Sequence, residues 1–254
     1  MLVDFLATGT GRAFFGWAWA ATNERLLAAA AVTLTFALLA RAVRGVTFGG
    51  ALAGGTVCFA LFTSLGPAAF AVLAALFALT WLSTRAGYRR KLDLGVAERR
   101  EGRGAWQVFA NLAAAGICST AFAGTGNRAW VVAAVAALAE AATDTVASEI
   151  GQSKHREARL VTTWERVRAG TDGGITAFGT AAGVLAGLGI AAVATVGHLL
   201  PRGEIWIPVV AGFSGMVLDS ILGATAQRQG WVSNQAVNLL ATFSSAALAY
   251  WLVN

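Results

Sequence analysis

Eight stretches of this chain stay apolar for about 17 to 22 residues at a time, long enough as helices to cross the roughly 30 Å of hydrocarbon in a bilayer. They fall near 26–42, 46–64, 66–83, 105–123, 129–150, 175–197, 205–225 and 234–253. In lipid the backbone finds no water to bond, and a helix satisfies its polar groups within one segment. With 57% of its 254 residues hydrophobic and 13% charged, the chain does not have a soluble composition. Its 30 glycines supply the small-residue bias that lets membrane helices approach closely. The expected fold class is all-α: a polytopic transmembrane bundle of about 7–8 spanning helices, forming a single domain over 1–254. Residues 1–22 hold Phe14, Phe15, Trp17 and Trp19 beside Arg12 and read as an interfacial amphipathic helix. No positive leader precedes a clean apolar run, so a cleaved signal peptide is not expected.

Lysine and arginine set the orientation, because translocated loops avoid them. Arg85, Arg89, Arg90, Lys91, Arg99, Arg100 and Arg103 crowd the loop at 84–104, and Lys154, Arg156, Arg159, Arg166 and Arg168 the loop at 152–174. Two spans separate these loops, so both fall on the cytoplasmic side. Arg41, Arg44 and Arg228 follow by the same alternation. The chain is therefore expected in the plasma or inner membrane if prokaryotic, with its active site facing the cytoplasm. This bias also accounts for most of the net charge of +6, and no nucleic-acid partner is expected. Cys58 and Cys118 lie in apolar segments and read as packing residues.

Against this background four carboxylates stand out. Glu140, Asp144 and Glu149 sit within or at the end of the fifth span and Asp219 near the end of the seventh. An ionised group in hydrocarbon costs several kcal/mol, so such residues face a polar interior and mark a site. Counting back from the cytoplasmic exit, Asp144 lies about 10 Å deep at 1.5 Å per residue. Asp219 lies at a similar level and Glu149 at the rim. Glu140, Asp144 and Ser148 share a helix face, whereas Asp144 and Glu149 are about 140° apart. Glu140 reads equally well as a satisfied interior acid.

Hard oxygen ligands at such a rim suit Mg²⁺, which takes one or two carboxylates plus phosphates and water. The expected metal set is Asp144, Glu149, Asp172 and Asp219. The segment TTWERVRAGTDGG (162–174) supplies what phosphate needs. Thr162, Thr163 and Thr171 offer hydroxyls, and Arg166 and Arg168 offer forked cationic donors. Gly170, Gly173 and Gly174 free backbone N–H groups around Asp172, and the next helix points its positive end at them. Asp144, Asp172, Arg166 and Arg168 are the expected catalytic set. Arg99, Arg100 and Arg103 are placed to meet nucleotide or lipid phosphate, and Asn111, Asn234 and Asn238 lie at the cytoplasmic ends of their helices as polar candidates for the same cavity. His155 and His198 have no partners at metal spacing and read as surface residues. Gly179, Gly183 and Gly187 form a small-residue ridge, read first as packing within the chain and second as a homodimer face.

Several linked blocks carry a resemblance: TFGGALAGG (47–55), STRAGYRRKLDLGVAERREGRGAWQVFAN (83–111), TDTVASEIG (143–151), the 162–174 segment, LDSILGATAQ (218–227) and VSNQAVNLLATF (232–243). In this order they resemble an integral-membrane family whose plant members are phytyl-phosphate kinases of tocopherol synthesis. More distantly, the arrangement is similar to dolichol kinases and CDP-diacylglycerol synthases, with Arg166 and Arg168 standing where those enzymes have a lysine-rich loop. The resemblance implies phosphoryl transfer from a nucleoside triphosphate, CTP being the favoured donor, to an isoprenyl monophosphate such as phytyl or geranylgeranyl phosphate. The partners implied are that lipid, the nucleotide and membrane lipids, with the isoprenyl tail lying between helices where Gly183 leaves room. Phosphoryl transfer needs alignment and charge neutralisation rather than a nucleophilic side chain. Two other classes compete: a cation- or proton-coupled transporter using the intramembrane acids, and a non-catalytic scaffold, which leaves those acids without a purpose.

Overall fold

The computed structural model describes residues 22–154 and 157–254. The interfacial segment expected at 1–22 lies outside the described residues except for Thr22, and so do His155 and Arg156. The elements run α1 (Thr22–Ala42), α2 (Phe48–Leu65), α3 (Pro67–Arg85), α4 (Tyr88–Leu94), α5 (Ala105–Thr125), α6 (Ala129–Lys154), β1 (Glu157–Leu160), β2 (Arg166–Arg168), β3 (Gly174–Ile175), α7 (Ala177–Val196), α8 (Trp206–Leu222) and α9 (Asn234–Val253). Eight helices among the described residues are long and apolar enough to cross a membrane, in the places the apolar blocks mark. Their starts follow local chemistry. The Thr47, Thr176 and Ser233 hydroxyls accept from the N–H groups of Gly50, Gly179 and Ala236, and Pro67 opens α3 where its missing N–H costs nothing.

The bundle is organised around α6. Of its most apolar window 83% is buried, against 11% for α1 and 33% for α8, and it packs against α3, α5, α7, α8 and α9. A helix that is apolar all round belongs inside. Its many alanines, among them Ala133, Ala136, Ala137 and Ala142, let five neighbours come close.

The glycine ridge of α7 is used within the chain. A side chain at Gly183 would strike the Thr143 carbonyl and the Ala147 methyl of α6, and one at Gly187 the Thr143 hydroxyl. The packing reading of the ridge holds, and Gly183 leaves no room for a lipid tail. Gly183→Leu is expected to destabilise the fold by about 1–3 kcal/mol through overpacking, seen as a melting temperature lowered by roughly 2–12 °C. An unchanged melting curve for the purified variant would show that α6 and α7 are not in this contact.

Both basic loops carry structure. The first forms α4 and then returns beside the α1–α2 turn, where the Thr47 N–H donates to the Arg103 carbonyl (3.0 Å) and the Arg103 N–H to the Gly45 carbonyl (3.0 Å). The second is an antiparallel three-stranded sheet in the order β2-β1-β3, with Arg159 opposite Arg166 on one side and Ile175 on the other. This small sheet is an addition to the all-α expectation. Ala158 and Leu160 alternate inward and Glu157 and Arg159 outward, a period-two pattern too short to register against the helical runs. At the opposite end of the bundle Arg128 pairs with Glu204.

Candidate functional site

At the basic end of the bundle, α5, α6, α8, α9 and the small sheet enclose a polar cavity of about 440 Å³. Asp144 reaches it from α6 and Asp219 from α8, so the two deep carboxylates do face one space. Glu149 and Asp172 line the same space. Beyond Asp219, α8 widens into a π-helical turn over Gly223–Gln227, a winding that often accompanies functional sites. Against that turn lies the Gly170–Gly174 segment. Gly173 has φ +72°, and a side chain there would collide with Ala224, so only glycine lets the segment lie on the α8 terminus. On the α9 side, the Asn238 amide oriented toward its acceptors donates to Asp219 Oδ2 and to the Asn234 carbonyl, both at 3.0 Å. This bond fixes the Asp219 carboxylate toward the cavity. Asn234 and Asn111 also line the cavity, and the Asn111 amide donates to the Gln107 carbonyl at 2.8 Å.

Glu149 lies at the edge of this space in a different setting. Its carboxylate accepts from Lys91 Nζ at 2.5 Å and from the Thr84 hydroxyl at 2.9 Å. Lys91 is fully buried, and its ammonium also donates to the Ser83 and Thr84 carbonyls at 3.1 and 2.7 Å, closing off the end of α3. Arg103 stands next to this pair, with Nη1 at 3.3 Å from the Thr145 hydroxyl and Nη2 at 3.9 Å from Glu149. Lys91 does not stand out in the sequence, where it is one more cation in a basic loop, whereas Arg103 is there one of three arginines placed to meet phosphate. The signal available was spacing: Tyr88 and Lys91 are one turn apart on a seven-residue helix bounded by Gly87 and Gly95.

Four of the five cationic and hydroxyl groups expected from the 162–174 segment lie elsewhere. Arg166 and Arg168 are on strand β2 and exposed; Arg166 faces Glu157 at 3.7 Å, and Arg168 donates to the Asp93 carbonyl at 3.4 Å. They border a separate hollow with Arg90 and Leu94 rather than the acid-lined cavity. Thr162 and Thr163 are exposed in the β1–β2 turn and do not line the cavity either. The hairpin's short register turns these side chains outward, while Gly170, Thr171, Gly173 and Gly174 do border the cavity. Arg99 lines the cavity and Arg100 does not. Glu140 is 1% exposed, does not line the cavity and leaves Oε1 without a hydrogen-bond partner among the described residues.

Among the described residues no group of three or more His, Cys, Asp or Glu side chains is drawn together tightly enough to hold a metal. With Glu149 bound to Lys91, the four-carboxylate shell expected from sequence is not assembled. Asp144 and Asp219 facing one polar cavity still fit a cation such as Mg²⁺, which takes few protein ligands when phosphate oxygens complete its shell.

The chain is 34% identical over 195 residues to an uncharacterized membrane protein of Synechocystis sp., covering 74% of this chain and 75% of that one. It is 42% identical over 111 residues to an uncharacterized membrane protein of Methanocaldococcus jannaschii, covering 42% and 45%. It is 31% identical over 208 residues to the chloroplastic protein VTE6 of Arabidopsis thaliana, covering 78% of this chain and 62% of that protein. No solved structure matches. The family described as Integral membrane protein DUF92 matches residues 31–246, which takes in six spanning helices whole, the larger part of the first and the last, and both basic loops, and the chain belongs to that family.

Proposed function

We propose that this protein transfers a phosphoryl group from a nucleoside triphosphate, CTP being the favoured donor, to an isoprenyl monophosphate at the cytoplasmic membrane face. The observation that carries the reading is the polar cavity in which Asp144 and Asp219, from different helices, face the Gly170–Gly174 segment and Arg103. In the reaction a phosphate oxygen of the lipid attacks the γ-phosphorus. The bond from that phosphorus to its bridging oxygen breaks, and nucleoside diphosphate departs. A Mg²⁺ held by Asp144 and Asp219 would neutralise charge on the phosphates. Within the hairpin the Thr171 N–H donates to the Arg168 carbonyl and the Gly174 N–H to the Thr171 carbonyl. The N–H groups of Gly170 and Asp172 take no part in those bonds among the described residues and would be the ones to meet phosphate oxygens. The cationic role assigned by sequence to Arg166 and Arg168 passes to Arg103, with Arg99 beside it.

The direct test is to incubate purified protein with labelled CTP or ATP and a panel of prenyl monophosphates. Labelled prenyl diphosphate is expected, lost on chelation with EDTA and restored by Mg²⁺; no labelled diphosphate from any pair overturns the reading. Arg103→Gln should lower kcat/KM by about 10- to 100-fold, the worth of one charge-assisted hydrogen bond. Arg166→Gln should leave it within about twofold, the effect of an exposed ion pair. The reverse ranking would return the phosphate to the hairpin arginines.

A further inference from the structure

A second cavity of about 500 Å³ adjoins the polar one, between α1, α2, α3 and α5. Its body is apolar, with Phe36 and Ala40 from α1, Ala51 and Gly54 from α2, and Leu73 and Leu76 from α3. From Arg85 to Leu73 it follows α3 for roughly 18 Å, more than half of a bilayer's hydrocarbon depth. Its inner end meets Phe36, which is packed edge-to-face on Phe70 and Phe77 at 5.3 and 5.4 Å. The mouth is the opposite of the body, being lined by Arg44, Arg85, Arg99, Arg100 and Arg103. Arg85 is committed locally, donating to the Val43 carbonyl at 2.7 Å and lying 4.6 Å over the Trp81 ring. Arg44, Arg99 and Arg100 have no carboxylate partner among the described residues. Glu98, the acid at this mouth, has Oε2 engaged by the Gln107 amide at 2.9 Å. Glu98, Arg99, Arg103, Gln107 and Asn111 line both cavities and form the wall between them.

We infer that this cavity seats the hydrocarbon chain of a single-chain lipid monophosphate, whose phosphate is held by Arg99, Arg100 and Arg103 at the wall shared with the polar cavity. The inference deepens the proposed kinase reading and rests on it for the identity of the acceptor. Charge complementarity selects an anionic headgroup, because unpaired arginines at the mouth of an apolar slot match a phosphate carried on a chain. The volume selects one chain over two, since about 500 Å³ is the size of a site for one modest ligand. The placement also divides the labour: the acceptor phosphate enters from the arginine side, and the donor occupies the acid- and glycine-lined side. Ala51 and Leu73 then become specificity positions that limit chain length.

The test uses purified full-length protein in nanodiscs and a geranylgeranyl phosphate carrying a photoreactive diazirine at the far end of its chain. Crosslinks are expected on α1, α2 and α3 around Phe36, Ala51 and Leu73. Excess geranylgeranyl phosphate should displace them, and geranylgeraniol and dioleoyl phosphatidic acid should not. Ala51→Phe should lower labelling by about tenfold or more, because the ring removes the space of at least two methylenes. Arg100→Gln should weaken labelling without moving it. Crosslinks on α7 or α8, or labelling unaffected by Ala51→Phe in a protein that still melts normally, would overturn the inference. Its fate is separable from that of the kinase reading. Crosslinks at the expected positions with no labelled diphosphate from any nucleotide would sink only the kinase. Turnover with crosslinks elsewhere would sink only this site.

Discussion

Asp144→Asn is expected to reduce phosphoryl transfer by at least about 10²–10³-fold, the usual loss when one preorganised charge that acts on the transition state is removed. The substitution keeps the shape of the side chain and removes its charge. Asp144 faces the polar cavity and takes part in no ion pair among the described residues, so removing its charge strands no directly bonded partner. The melting temperature should therefore stay within about 2–4 °C of the parent, the equivalent of 1 kcal/mol for a chain of this size. Loss of turnover at constant stability is the signature of a residue that holds the reacting groups. A purified Asp144→Asn protein that still forms labelled diphosphate at the parent rate would remove Asp144 from the site. The companion Asp219→Asn should behave alike, because its carboxylate is aimed into the same space by Asn238.

Lys91→Met should have the opposite profile, a large loss of stability. It would strip the Glu149 carboxylate of its 2.5 Å partner and leave Thr84 and the more distant Arg103 as the groups facing it. Removing one member of a buried pair typically costs about 3–5 kcal/mol, and the lower end applies because Glu149 keeps 12% of its side chain accessible. The melting temperature should fall by roughly 6–12 °C. The double variant Lys91→Met/Glu149→Gln should recover most of that loss, since replacing both members leaves no charge stranded. A double variant no more stable than Lys91→Met would mean that the lysine's bonds to the Ser83 and Thr84 carbonyls, rather than the ion pair, hold α4 in place.

The two variants also mark what could be read from the sequence. Each spanning helix was legible because an apolar run of bilayer length leaves few alternatives, and the level shared by Asp144 and Asp219 followed from counting residues along those helices. The partners of charged side chains were not legible, because they depend on which way short loop elements turn. Glu149 resembles Asp144 in sequence, yet a lysine 58 residues earlier claims it. Arg166 and Arg168 look like phosphate ligands beside the glycine turn, but alternation along a three-residue strand sends both outward. Arg103, one of seven cations in its loop, gained its position from two backbone hydrogen bonds to the α1–α2 turn. The glycine ridge shows the same limit: small residues at spacing four predicted close approach correctly, but could not say whether a helix or a lipid would fill the gap.

The Lys91–Glu149 bond also imposes an order on biogenesis. Lys91 leaves the ribosome 58 residues ahead of the carboxylate that will neutralise it. At ordinary translation speeds that is an interval of roughly 3–12 s during which α5 and most of α6 are synthesised and α4 has no counter-charge to dock against. Through this window the loop must stay in water, its ammonium hydrated, while its flanking spans enter the bilayer. The Lys91–Glu149 bond can form only once the end of α6 has been made, so the C-terminal part of the central helix would act as a latch, closing the basic rim after the scaffold around it has been inserted.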